Sequence, residues 1–301
     1  MTIEYCIIVV DLNSDVLYNN GVNIYVMVTI IVTSEAVMTR SISTLMASVL
    51  ERMELERPAV VTSETLNRIL HEEGIQTPAR IVAARLREKG WLLPTAVRGA
   101  WEFVPASSAG AYSSNDPLLD IKSMISKHDI KFGITFQSAA WAHGVADRIP
   151  LRIEVATGDA QTSRLLRSIT STSVFIPILE YRELKGVPVL APESVIVHMA
   201  EKPNAVRSWQ SALEWLPELT ALLERDSVIK EISNRSNAVI ARTGYLLQGM
   251  RPDVADYIHK RYTPACKTWF GSRVSLLRHD NKWLIADTML PFDPRKLVSA
   301  I

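Results

Sequence analysis

Cysteine is nearly absent: only Cys6 and Cys266 occur, at opposite ends of a chain of 301 residues. They can build neither a disulfide framework nor the paired spacing of a zinc site, and the expected setting is a reducing cytoplasm. His71, His128, His143, His198, His259 and His279 fall at no i, i+4 or His-x-Glu spacing, so no metal ligand set is visible. Glycine is sparse, at 12 residues, and nowhere gathers into a phosphate-cradling loop, which leaves a nucleotide cofactor without a seat. No lysine or arginine precedes Arg40, so the positive start of a secretory signal is missing and export is not expected. Neither charge sign is in excess. The 33 basic and 32 acidic side chains give +1, which argues against wholesale attachment to nucleic acid or membrane and leaves room for a local patch. One uncharged stretch, Val16 to Ser34, approaches membrane-span length, but Asn19, Asn20, Gly21, Asn23 and Thr29 interrupt it and its apolar residues are β-branched. It reads as strand material, not as a lipid-crossing helix.

What is present suits a globular protein: 48% of residues are hydrophobic and 22% charged, and the length suggests two domains. In residues 1–37 turn, cap and periodicity do not agree, whereas from Met38 onward they do. The expectation is that translation starts near Met27 or Met38 and that residues 1–37 are a leader added by a mis-assigned start. Residues 38–105 form a first domain. Ala106 to Asp116 is small and polar with Pro117 at its end, which is linker composition, and residues 117–301 form a larger second domain.

In the first domain, Ser43 precedes a helix through about Leu55, with Leu45, Met46, Val49, Leu50 and Met53 on one face. Pro58 to Thr62 is extended, and Thr62 caps a second helix that buries Leu66, Ile69 and Leu70 before Gly74 ends it. Thr77 at the cap and Pro78 at the first helical position open a third, running from Ala79 to Lys89 and stopped by Gly90. At 100° per residue Ala79, Val82, Ala83 and Leu86 share the packing side, while Thr77, Arg80, Ala84 and Arg87 share the opposite one. Trp91-Leu92-Leu93 and Ala100 to Val104 then make a hairpin with Arg98 at its tip. This order is that of a winged helix-turn-helix, whose third helix enters the DNA major groove.

Charge points the same way, though only locally. Arg80, Arg85, Arg87, Lys89 and Arg98 are opposed by Glu88 alone, a balance of +4 on the third helix and wing. The expected DNA-binding residues are therefore Thr77, Arg80, Ala84, Arg85, Arg87, Lys89 and Arg98. Arg80 and Arg87 read bases, Thr77 and the helix start lie near phosphate, and Ala84 faces a thymine methyl or the groove floor. A solvated basic face on a protein-docking winged helix is the competing reading.

Four stretches resemble the AbiEi-type antitoxins of type IV toxin–antitoxin systems: Arg57-Pro58-Ala59-Val60-Val61-Thr62, Arg85 to Leu92, Arg98 to Pro105, and Ser138-Ala-Ala-Trp-Ala-His-Gly144. The resemblance spans about residues 40 to 300. It implies a winged helix that represses its own operon by binding double-stranded operator DNA. It also implies a C-terminal domain that opposes a nucleotidyltransferase toxin without a stable complex. No long exposed amphipathic tail is present to wrap a toxin, which accords with that, and residues 117–301 are expected to protect independently of the repressor domain.

The second domain reads as mixed α+β, with strands at Ile149 to Val155, Ser173 to Ile178 and Val187 to Leu190. A run of helices follows at Pro192 to Met199, Ser208 to Leu223, Asp226 to Ser233, Asn237 to Leu247 and Pro252 to Tyr262, with strand character returning at Lys267 to Phe270 and Trp283 to Ala286. Enzymatic motifs are incomplete. Asp120-Ile-Lys, Asp129-Ile-Lys and Glu183-Leu-Lys mimic half of a nuclease site but lack its upstream Pro-Asp. Gly271-Ser272 could open a nucleotidyltransferase site, yet the required Asp-x-Asp is replaced by Asp280 and Asp287, seven apart. No catalytic, cofactor or metal residue is therefore assigned. A DNA-associated nuclease or transferase remains the enzymatic alternative to the repressor-antitoxin reading, and an adaptor the non-enzymatic one.

Overall fold

Alternating caps and apolar stripes set the elements of the first part of the chain. The computed structural model describes residues 43–108, 114–169, 171–176 and 181–298. The expected leader, part of the expected linker and the end of the Ser173 to Ile178 strand lie outside these. Helix α1 (Thr44–Glu56) is followed by β1 (Val60–Thr62), α2 (Ser63–Glu72), α3 (Ala79–Glu88), β2 (Leu92–Pro94) and β3 (Ala100–Phe103). Thr62 caps α2 as expected, its hydroxyl accepting from Thr65 N–H at 3.1 Å. Gly74 turns the chain out of α2 at φ +67°, a conformation open to glycine at no steric cost. Helix α3 departs from expectation by one residue: Pro78, not Thr77, occupies the cap position, and its carbonyl accepts from Ile81 N–H at 2.9 Å. Strands pair antiparallel in the order β1-β3-β2, and the sheet closes over Met46, Val49, Leu50, Met53, Leu66, Ile69, Val82, Leu86 and Phe103.

The second part begins with α4 (Leu119–Lys127) and continues through β4 (Gly133–Ile134), α5 (Phe136–Ala142), β5 (Ile153–Thr157), α6 (Ala160–Arg167), β6 (Ser171–Phe175), β7 (Tyr181–Leu184) and β8 (Val187–Leu190). These strands make one mixed sheet, ordered β6-β5-β4-β8-β7, in which β4 and β8 as well as β5 and β6 run parallel. Helix α7 (Pro192–Glu201) is buried at every residue from Pro192 to Ala200 and forms the hub of the helical half. Around it follow α8 (Trp209–Ala212), α9 (Leu216–Ala221), α10 (Arg225–Ile232), α11 (Asn237–Leu247) and α12 (Pro252–Arg261). The single helix expected over Ser208 to Leu223 is two short ones, because Pro217 lacks the amide that would continue the first into the second. A second sheet, β10 (Arg278–Asp280), β11 (Ile285–Asp287) and β9 (Thr268–Phe270) in that order, closes the fold. Thus the described chain is α+β. No described helix is long and apolar enough to cross a membrane.

Buried carboxylates inside this helical half are paired. Glu193 of α7 accepts from the backbone of Glu224, Ser194 donates to Glu231, and Arg235 bridges Glu231 at 2.9 Å and Glu201 at 2.7 Å. A buried charge left unpaired would be costly, and here each carboxylate has a donor.

Candidate nucleic-acid interface

Helix α3 buries Ala79, Val82, Ala83 and Leu86 and exposes Arg80, Ala84, Arg85 and Arg87. The apolar positions recur every three to four residues, so packing alone fixes which basic groups face water. Lys89 is half-buried and closes the helix through its own N–H, donated to Arg85 at 3.1 Å. Thr77 is half-buried in the turn before the helix, and Arg98 is exposed at the hairpin tip. Every residue singled out from the sequence thus falls on α3, on the turn leading into it, or on the hairpin after it.

Pairing separates these basic residues from their neighbours. Arg52 and Arg68, on α1 and α2, are locked into a four-membered network with Glu56 and Glu72 at 2.7 to 3.1 Å. The hydrogen bond from Arg68, and then that from Arg52, hold the Glu56 carboxyl below its ordinary range. Among the described residues Arg80, Arg85, Arg87, Lys89 and Arg98 enter no ion pair. Unpaired positive charge is therefore gathered on α3 and the hairpin, whereas Arg52 and Arg68 of the neighbouring helices are neutralised in place.

The hairpin tip is not free. Ala96 N–H donates to the Asp120 carboxylate of α4 at 3.0 Å, and Lys127 of α4 pairs with Glu64 of α2 at 3.1 Å. Val97 and Ala100 share a buried cluster with Leu118, Ile121 and Met124. The segment leaving β3 is also tied back, since Ala106 N–H donates to Glu54 and Ser114 N–H to Glu102. In the sequence Asp120 is visible only as the start of an Asp-Ile-Lys triplet. No local pattern reports a partner 24 residues away.

The other suspected chemistry is taken up by structure. Asp129 and Glu183 are both exposed, Asp129 just beyond α4 and Glu183 on β7. Asp287 is fully buried and accepts from Tyr245, Arg278, Met289 and Leu290; Asp280 accepts from Trp283 and Gln248. Among the described residues no group of three or more histidine, cysteine and acidic side chains is placed to hold a metal. The Ser138 to Gly144 motif is a joint between α5 and its sheet. Ser138 exchanges hydrogen bonds with Glu154 of β5, and His143 Nε2–H donates to the Leu190 carbonyl of β8 at 2.8 Å. Burial pushes Glu154 up to about 7 and holds the His143 imidazole below its ordinary range.

The architecture is that of an α+β protein with its basic surface on a helix and hairpin ahead of a mixed sheet and helical hub. Residues 133–249, from β4 to just past α11, match the family described as AbiEi antitoxin C-terminal domain. The resemblance to AbiEi-type antitoxins carried by the sequence motifs is thereby borne out, with α3 and the hairpin lying outside the matched segment. Among solved structures the chain is similar to the RV2827C protein from Mycobacterium tuberculosis, at 27% identity and a TM-score of 0.69, covering 85% of this chain and 95% of that one. No curated protein matches the chain.

Proposed function

We propose that this chain is a non-enzymatic, DNA-binding autorepressor and antitoxin, acting in the cytoplasm and opposing a nucleotidyltransferase toxin without binding it stably. The antitoxin part rests on the family match over residues 133–249. For the DNA-binding part the supporting observation is the unpaired cationic face of α3 and the hairpin, set beside Arg52 of α1 and Arg68 of α2, which are both neutralised. Free guanidinium groups on an exposed helix are what bidentate reading of guanine requires, and Arg98 on a hairpin suits a phosphate. In this reading residues 38–105 form a winged helix-turn-helix with α3 as its recognition helix, and residues 117–301 form the antitoxin domain.

A gel-shift titration of the full chain on the DNA upstream of its own gene tests it. The wild-type protein should shift that fragment in preference to unrelated duplex. The Arg80→Ala, Arg87→Ala double variant, folded by circular dichroism, should lose about 1–3 kcal/mol per base-reading arginine. Unchanged affinity in that variant would remove α3 as the reader.

A further inference from the structure

We infer that Asp120 of α4 positions the hairpin tip for DNA, so that the reader is completed by a residue from the second half of the chain. This inference rests on the DNA-binding reading above. Within the hairpin loop from Thr95 to Gly99, the Thr95 hydroxyl shares its proton between the carbonyls of Val97 and Ala100 at 3.2 and 3.1 Å and accepts from Val97 N–H at 3.2 Å, and Ala100 N–H donates to the Val97 carbonyl at 3.1 Å. The loop is also held from outside. Asp120 accepts the Ala96 N–H, and Val97 is buried in the cluster that contains Ile121 and Met124 of α4. Gly99, at φ +77°, lies beside α4 and α2: a Cβ there would make ordinary contact, at 3.7 Å, with both Lys127 Nζ and Ser63 Oγ. Arg98 sits between the anchored Val97 and Gly99, exposed and without an ion pair among the described residues. Its backbone is therefore fixed by α4 while its side chain stays available, which is the arrangement a phosphate contact needs. An unanchored loop would have to be ordered on binding, at a cost in affinity.

Operator binding by the full chain, titrated against salt, tests the inference in a double-mutant cycle. Arg98→Ala should weaken binding to all sequences alike and flatten the slope of log K against log salt by about one unit. Asp120→Ala should weaken binding about five- to tenfold and flatten the slope by a similar amount. The two together should be no worse than Arg98→Ala alone, because Asp120 acts through Arg98. Asp120→Asn removes the charge but keeps the acceptor oxygen, and should restore wild-type affinity. Hydrogen exchange at Ala96 N–H should be slow in the wild-type and Asn proteins and fast in the Ala variant. If Asp120→Ala does not fold, Asp120→Glu, which displaces the acceptor by one methylene, should show the same loss. Additive losses, unchanged affinity in both the Ala and Glu variants, or an Asn variant as weak as Ala would overturn the inference. Failure of the wild-type protein to bind would instead strike down the repressor reading, and with it the role of the anchor in DNA binding. Slow exchange at Ala96 would then still register the anchor itself.

Discussion

Glu154 shows what a single buried group can do to this fold. It lies on β5 beneath the start of α5, almost fully covered, and burial outweighs the amide and hydroxyl bonds from Ser138 to push its carboxyl up to about 7. A carboxyl raised in the folded state binds more protons folded than unfolded, so stability falls as pH rises from about 4.5 to about 7 and stays lowered above that. Glu154→Gln keeps an acceptor for the Ser138 amide and removes the charge. We expect the variant to be more stable than wild type at pH 8 by on the order of 1–3 kcal/mol, seen as a higher unfolding temperature, with the gap closing by pH 5. Thermal melts at the two pH values check this, and a gap independent of pH would mean that Glu154 is not the titrating group. The Glu154–Ser138 pair also explains why the Ser138 to Gly144 stretch stands out in the sequence: it fastens α5 to β5 and, through His143, to β8.

Among the elements, α11 carries the sharpest test of packing. Gly244 sits mid-helix, where replacement by alanine ordinarily gains about 1 kcal/mol in helix propensity. Here an added Cβ would fall 2.0 Å from the ring of Trp283, which is itself fully buried. Overpacking should win over propensity, and Gly244→Ala is expected to destabilise the protein by about 1–3 kcal/mol in urea unfolding. A stabilised variant would show that the Trp283 ring can give way. Helix α4 has the task least legible from sequence: it packs against β1 and β3, and those contacts join residues far apart along the chain.

For the whole molecule, the question is whether repression and protection are separable. Deleting residues 1–116 would strip α4 of the surface it packs on, so loss of protection in such a variant would mix function with folding. The full-length Arg80→Ala, Arg87→Ala protein leaves every buried contact in place, since both side chains are exposed. We expect it to lose operator binding in gel shifts while still protecting cells from the toxin, and we expect co-purification of wild-type protein and toxin to recover no complex. Protection lost together with DNA binding would show one activity with two readouts, and a nanomolar complex would overturn indirect antagonism.

The sequence alone determined the helices and strands of the first part nearly to the residue, as at Thr62, Gly74 and the buried stripe of α3, because caps, glycine turns and 3.6-residue periodicity are local and agree with one another. It also determined that α3 and the hairpin hold the excess of positive charge, which is a matter of counting. It missed β7 and β10, short polar strands that take their form from neighbours in a sheet, and α6, a polar helix of eight residues capped by Asp159. Only the tertiary structure decided which arginines are neutralised, since Arg52 meets Glu72 and Arg68 meets Glu56 between helices. Only it decided that Asp280 and Asp287 serve the core, and that the hairpin tip is held by Asp120. An ion pair or a hydrogen bond acts across a few ångströms of space, and which residues share that space is fixed by how the apolar faces close upon one another.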